Sequence, residues 1–82
     1  EALSWSPDGK RLVLAHDPHP NGGGLFELNL ADGSRRTLTS PEPGVRDYIP
    51  AWSPDGQWIA FLRASRMEPE VYLMPAAGGT PR

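Results

Sequence analysis

The sequence predicts an all-β chain whose antiparallel sheets stack face to face, in the manner of β-propeller blades. Three observations predict it. Residues 51–62 (Ala-Trp-Ser-Pro-Asp-Gly-Gln-Trp-Ile-Ala-Phe-Leu) repeat residues 4–15 (Ser-Trp-Ser-Pro-Asp-Gly-Lys-Arg-Leu-Val-Leu-Ala) at an offset of 47. A second block follows each first one at an offset of 46. Leu25-Phe26-Glu27-Leu28 recurs as Val71-Tyr72-Leu73-Met74, and Ala31-Asp32-Gly33-Ser34 as Ala77-Gly78-Gly79-Thr80. Such a period marks solenoids, propellers or arrays. The apolar runs Leu12-Val13-Leu14-Ala15 and Ile59-Ala60-Phe61-Leu62 are continuous rather than alternating. A strand reads this way when both its faces are covered, as happens when one sheet lies between two others.

Each element has a local reason. Residues 2–5 form the innermost strand of the first unit. Pro7 and Pro54 preset φ for the first central position of a β-turn, Asp8 and Asp55 suit the second, and Gly9 and Gly56 supply positive φ. Residues 11–15 make the second strand, 16–24 a loop rich in Pro and Gly, and 25–30 the third strand. The 31–34 turn leads into an outer strand over 35–39. Pro41, Pro43 and Gly44 keep the 40–48 crossover irregular. The second unit starts at Ile49, where Pro50, lacking a donor, suits an edge strand lining a central channel. Strands over 57–62 and 70–74 complete it around a loop at 63–69. The units are therefore a first blade over 1–39, the crossover over 40–48, and a second blade over 49–82 that lacks its outer strand. No segment is expected to be helical beyond a turn.

The succession Trp-Ser-Pro-Asp-Gly, apolar strand, Val71-Tyr72-Leu73-Met74, Ala77-Gly78-Gly79-Thr80-Pro81-Arg82 resembles the TolB-type, WD-like β-propeller repeat family. The resemblance occurs twice in register. It implies four-stranded blades, about six or seven closing a ring. It also implies that the remaining blades of the same propeller lie beyond these two. The repeat occurs in TolB, in propellers of prolyl-oligopeptidase-type serine peptidases, and in propellers fused to bacterial transcription regulators. Function expected from the resemblance is a scaffold that binds proteins, peptides or ligands. The alternatives are a peptidase gating propeller and a sensory propeller. The compartment is periplasmic in the TolB-like case and cytoplasmic in the others.

Composition narrows the partners. Eight basic residues against ten acidic give a net charge of −2, with no basic stripe, so nucleic-acid contact by this segment is not indicated. There is no run long and apolar enough for membrane insertion. With no cysteine, disulfides and thiolate metal sites are excluded. No cofactor is implied.

Candidate sites divide by whether the repeat already explains them. Asp8 and Asp55 could serve as general bases, but turn chemistry accounts for both. Trp5 and Trp52 end the inner strands and read as packing between blades, whereas Trp58 aligns with Arg11 and belongs nearer the surface. His16 and His19 sit in a loop with nothing to fix ligand geometry, so no metal is expected there. Gly22-Gly23-Gly24 and Gly78-Gly79 lack the Lys-Ser/Thr and helix of a phosphate loop. No Ser/His/Asp constellation with a nucleophile elbow occurs, so no catalytic residue is expected.

Arg46-Asp47-Tyr48 is left over. It precedes an inner strand and should lie near the channel mouth, among loops free to vary. It is the expected binding cluster, set against a local Arg46–Asp47 pair with Tyr48 covering the blade edge. On that expectation Asp47→Ala or Tyr48→Ala weakens partner binding with little loss of stability.

Overall fold

The two Pro-Asp-Gly segments fold into the same hairpin turn, and a sheet grows from each. The computed structural model describes residues 3–15, 23–42, 44–65 and 68–82. The first sheet holds β1 (Leu3–Trp5), β2 (Arg11–Ala15), β3 (Leu25–Asn29) and β4 (Arg35–Thr37), in that spatial order and all antiparallel. The second holds β5 (Arg46–Trp52), β6 (Trp58–Ala64) and β7 (Glu70–Pro75), also antiparallel and in order. Strand order therefore follows chain order, as short hairpin connections dictate. The expected all-β architecture, four strands and then an incomplete three-stranded blade, is what the chain forms.

The turns are built alike to the atom. Ser6 Oγ donates to Asp8 Oδ1 at 2.6 Å, and Asp8 Oδ1 accepts from Lys10 N at 2.9 Å. Ser6 Oγ in turn accepts from Arg11 N at 3.0 Å. In the second unit Ser53, Asp55, Gln57 and Trp58 make the same three bonds at 2.6, 3.0 and 3.0 Å. Gly9 and Gly56 close both turns at φ 73° and 75°, where a Cβ is disfavoured.

Several boundaries differ from the sequence expectation; β6 runs on to Ala64 and so draws Arg63 into the strand from the expected 63–69 loop. The second unit's inner strand begins at Arg46, not Ile49, and so absorbs the end of the crossover. It can do so because the irregularity sits inside the strand. Register shifts between Tyr48 and Ala51, with Ile49 at φ 52° just before Pro50. A bulge takes up a residue that cannot donate to the ladder, and pairing resumes on either side. The first unit's outer strand stops at Thr37, not Thr39. Beyond it Leu38 N and Thr39 N both donate to Leu25 O, at 2.9 and 3.2 Å, and the Thr39 hydroxyl accepts from Leu25 N at 2.8 Å. The segment ends as a cap on β3 rather than as ladder.

The core lies between the sheets. Val13 and Leu25 of the first meet Ile59, Phe61 and Met74 of the second, all buried, with Ala76 beside them. Pairing registers place Ser4, Val13, Leu25, Glu27 and Arg36 on one face of the first sheet. They place Trp52, Ile59, Phe61, Tyr72 and Met74 on the facing side of the second. Trp52 packs against this core as expected, while Trp5 lies on the outer face of the first sheet, 57% exposed. Trp58, half-buried, points away from the first sheet.

Polar bonds also cross between the sheets. Trp52 N donates to Ser4 Oγ at 3.2 Å. Arg36 reaches from β4 to the carbonyls of Ala77 and Ala76 at 2.9 and 3.0 Å, and also holds the buried Glu27 carboxylate at 3.1 Å.

Candidate functional site

The two ends of the sheet pair differ in kind. One carries the Pro-Asp-Gly turns and the 31–34 and 76–79 turns, joined by Leu30 N to Lys10 O at 3.1 Å and Ala76 N to Gln57 O at 2.8 Å. The other carries the crossover and the ends of the longer loops. Asp8, Asp32 and Asp55 all belong to the turn end. The bonds from Ser6 and Lys10 hold the Asp8 carboxyl below its ordinary value, and those from Ser53 and Gln57 do the same for Asp55. Asp32 is lowered chiefly by the Ser34 backbone N–H. A carboxylate held ionised by its own turn is a poor general base, so these residues are structural.

Arg46, Asp47 and Tyr48 occupy the other end, but alternation along β5 separates them. Arg46 pairs with Ala64 and Tyr48 with Leu62, on the face turned away from the first sheet. The Arg46 guanidinium lies 4.6 Å from the centre of the Tyr48 ring, a cation–π contact between residues two apart on one face.

Asp47 points the other way and is 1% exposed. Its partner is not Arg46 but Arg63, directly opposite on β6. Arg63 Nε and Nη2 donate to the two carboxylate oxygens at 2.7 and 3.0 Å. The bidentate carboxylate raises the Arg63 pKa. The same guanidinium sits 4.8 Å from the Tyr72 ring centre and 5.7 Å from that of Phe61, and those two rings stack at 5.9 Å. Asp47→Ala therefore removes a buried ion-pair partner, which corrects the expectation of little stability loss.

The backbone here is tied to the first sheet as well. Asp47 N donates to Gly23 O at 2.7 Å and Gly23 N to Val45 O at 3.3 Å, making a parallel bridge beside Arg46. Gly24 passes so close to Thr39 that a Cβ would collide with the Thr39 carbonyl oxygen. Glycine is required there by close approach, not by φ.

These contacts wall a groove of about 590 Å³ between the crossover and the second sheet. Thr39, Pro41 and Val45 line one side, and Arg63, Glu70 and Tyr72 the other, with Glu42 and Glu68 also contributing. Asp47 is not in its lining but fixes Arg63, which is. Sequence reading missed Arg63 and Tyr72. Arg63 carries no motif, Tyr72 belongs to a repeated strand, and only the strand register brings Arg63 opposite Asp47.

Among the described residues no group of His, Cys, Asp and Glu could hold a metal ion, and no helix is long and apolar enough to cross a membrane. His16 and His19 lie outside the described residues, as does Gly22.

No family model matches the sequence. An uncharacterised protein of Agrobacterium fabrum is 36% identical over 84 residues, covering all of this chain and 27% of that protein. The chain thus spans about a quarter of the curated relative's length. Among solved structures, TolB of Acinetobacter baumannii superposes with a TM-score of 0.83 at 24% identity, over 100% of this chain and 20% of that one. A protein assigned as TolB from Agrobacterium tumefaciens gives 0.79, also at 24% identity, over 95% and 27%. A protein assigned as a dipeptidyl aminopeptidase IV from Bacteroides ovatus gives 0.69 at 16% identity, over 99% and 16%. Sheet order, blade stacking and these superpositions agree that the chain has the fold of two successive blades of a TolB-like β-propeller.

Proposed function

We propose that this pair of blades is part of a non-enzymatic scaffold that binds a protein or peptide partner at its crossover end. The observation carrying the reading is the groove between crossover and second sheet, where Pro41, Val45, Arg63 and Glu70, all outside the repeated blocks, meet the repeat residues Tyr72 and 79–81. Arg63 and Tyr72 form its fixed side, and Asp47 acts as the positioning residue behind Arg63. Arg46 and Tyr48, exposed and half-buried at the same end, extend the surface on the far side of β5. The carboxylates of Glu42, Glu68 and Glu70 favour a partner segment carrying basic residues. The TolB likeness supports a binding rather than a catalytic role.

A displayed library of random peptides, selected against the chain and read by hydrogen exchange, tests this. Protection is expected over Val45, Arg63 and Glu70–Tyr72, with enrichment of Lys and Arg in the selected peptides. Tyr72→Ala or Tyr48→Ala should weaken the selected peptides while leaving the β circular dichroism unchanged. Protection centred on the Asp8 and Asp55 turns defeats the assignment.

A second reading draws on the shared fold with the dipeptidyl aminopeptidase-like protein: a propeller gating a serine peptidase, with the catalytic residues in another domain. The flanking gene sequence separates the readings. A downstream Gly-x-Ser-x-Gly segment supports the peptidase, an upstream winged helix a regulator, and a signal peptide a TolB-like envelope protein.

A further inference from the structure

The chain carries Asp-Gly at three turns, as Asp8-Gly9, Asp32-Gly33 and Asp55-Gly56. This pair rearranges readily in a polypeptide. The glycine nitrogen attacks the aspartate Cγ, water leaves, and a five-membered succinimide forms. Water then opens the ring at either carbonyl. Opening at the main-chain carbonyl of the aspartate routes the backbone through its side chain and leaves isoaspartate. One water is lost and one regained, so the mass is unchanged and no co-reactant is needed. Glycine is the susceptible neighbour because, without a Cβ, its nitrogen is open to Cγ.

Three conditions govern the attack. The glycine N–H must be free, the carboxyl must be neutral, and the side chain must be able to swing Cγ over the nitrogen. The first does not separate the three turns. Gly9 N donates to Ser6 O at 2.9 Å, Gly33 N to Asn29 O at 2.8 Å and Gly56 N to Ser53 O at 2.9 Å. The other two conditions do separate them. Asp8 is clamped by the Ser6 hydroxyl at 2.6 Å and Lys10 N at 2.9 Å, and Ser6 is itself buried and fixed by Arg11 N. Ser53, with Gln57 N and Trp58 N, treats Asp55 in the same way. Asp32 has Leu30 two places before it, where the other turns have serine. Its carboxylate rests chiefly on Ser34, through the N–H at 2.9 Å and the hydroxyl. Ser34 is exposed, so water competes for that hold, and Asp32 and Gly33 are exposed beside it. The turn does not need an aspartate, since the second unit has Gly78 in its place.

We propose that Asp32 is a modification site, the first of these three aspartates to become isoaspartate in the folded protein. Conversion adds a methylene to the backbone between Asn29 and Ser34, whose bond from Asn29 N to Ser34 O at 2.9 Å closes the β3–β4 hairpin. That hairpin carries Arg36, which holds the Ala76 and Ala77 carbonyls of the second sheet. Ageing at Asp32 thus loosens one sheet from the other at the turn end. The site is independent of the groove at the crossover end.

Ageing the native protein at neutral pH and physiological temperature, with parallel samples in urea, tests the proposal. Peptide mapping with electron-transfer fragmentation tells isoaspartate from aspartate. In the native samples Asp32 should convert about tenfold faster than Asp8 or Asp55, the factor that one hydrogen bond to a charged group supplies. In urea the three should convert at similar rates. Asn21-Gly22, outside the described residues, is told apart because deamidation changes the mass. Ser6→Ala with Ser53→Ala should raise Asp8 and Asp55 to the native Asp32 rate. Asp32→Gly should abolish the fall in melting temperature on ageing, and a variant that ages like the wild type overturns the link to the hairpin. Native conversion at Asp8 or Asp55 as fast as at Asp32 overturns the proposal. So does a lead of Asp32 that persists unchanged in urea, where only the sequence acts. Both of these readings use the wild-type protein, so they stand even where a serine variant loses its β circular dichroism.

Discussion

The turn end and the crossover end of this molecule are held together by opposite strategies. At the turn end, Ser6, Asp8 and Gly9 make bonds only two to five residues long, and Ser53, Asp55 and Gly56 make the same ones again. At the crossover end the bonds join distant segments: Asp47 to Arg63, Leu25 to Thr39, Gly23 to Asp47. Each Pro-Asp-Gly turn at the first end is a local device, although Leu30 to Lys10, Ala76 to Gln57 and Arg36 to Ala76 tie that end over longer spans. The contacts of the second end exist only once the strands are paired, and no bond among the described residues of the other unit duplicates the Asp47–Arg63 pair. Damage at the crossover end should therefore cost more than damage at a turn.

Asp47→Ala should show the largest effect. It leaves the Arg63 side chain, 25% exposed, without its bidentate partner. A loss of about 3 kcal/mol is expected in urea denaturation at fixed protein concentration, near the low end for a broken buried pair. Asp47→Leu combined with Arg63→Met should recover much of it. A loss no greater than that of a turn variant erases the contrast between the ends.

Gly24→Ala comes next. The new methyl meets the carbonyl oxygen of Thr39, whose N–H and hydroxyl bond Leu25 in the β3 cap. Overpacking of this kind costs about 2 kcal/mol. An unchanged melting temperature would mean that the Gly23–Gly24 segment yields freely and does not lock the crossover.

Gly56→Val sharpens the other side of the comparison. Gly56 has φ 75°, and an added Cβ finds only Pro7 carbons at 3.8 Å, so the penalty is one of backbone strain. About 1–2 kcal/mol is expected. Gly9→Val, with nothing within 4 Å of its Cβ, should match it closely. Unequal losses would show that the two turns are not the same device.

The smallest effect should be acid sensitivity of the turns. Asp8 and Asp55 have carboxyls held below 3.8 in the folded chain, Ser6 and Ser53 contributing most. A lowered folded pKa means that the stabilisation is complete above the unfolded value near 3.8. It is lost as pH falls through the lower folded value. Ser6→Ala with Ser53→Ala should flatten the fall in melting temperature between about pH 4 and pH 2. An identical acid profile for wild type and double variant would remove these carboxylates from the account.

Legibility follows the same division. Pro-Asp-Gly, the two offsets and the continuous apolar runs were enough to place the hairpins, the stacked sheets and the packing role of Trp52. The inner strand of the second unit was started at Ile49 rather than Arg46 because Pro41, Pro43 and Gly44 made the whole of 40–48 read as irregular, and nothing local marked a bulge at Pro50. The bulge that accommodates it depends on β6 being there to pair on both sides. Arg46, Asp47 and Tyr48 were read as one cluster because they are adjacent in sequence, and a strand sends neighbours to opposite faces.

What the sequence determined by itself is whatever short-range chemistry dictates: φ at the glycines, Asp and Ser capping their own turn, and the repeat that makes one blade fit another. Only the tertiary structure decided that Asp47 belongs to Arg63, that Gly24 must lack a Cβ, and that Arg36 crosses to Ala76 and Ala77. Those contacts are set by register and by the approach of one sheet to another. A backbone carbonyl acting as acceptor leaves no residue type behind to announce it.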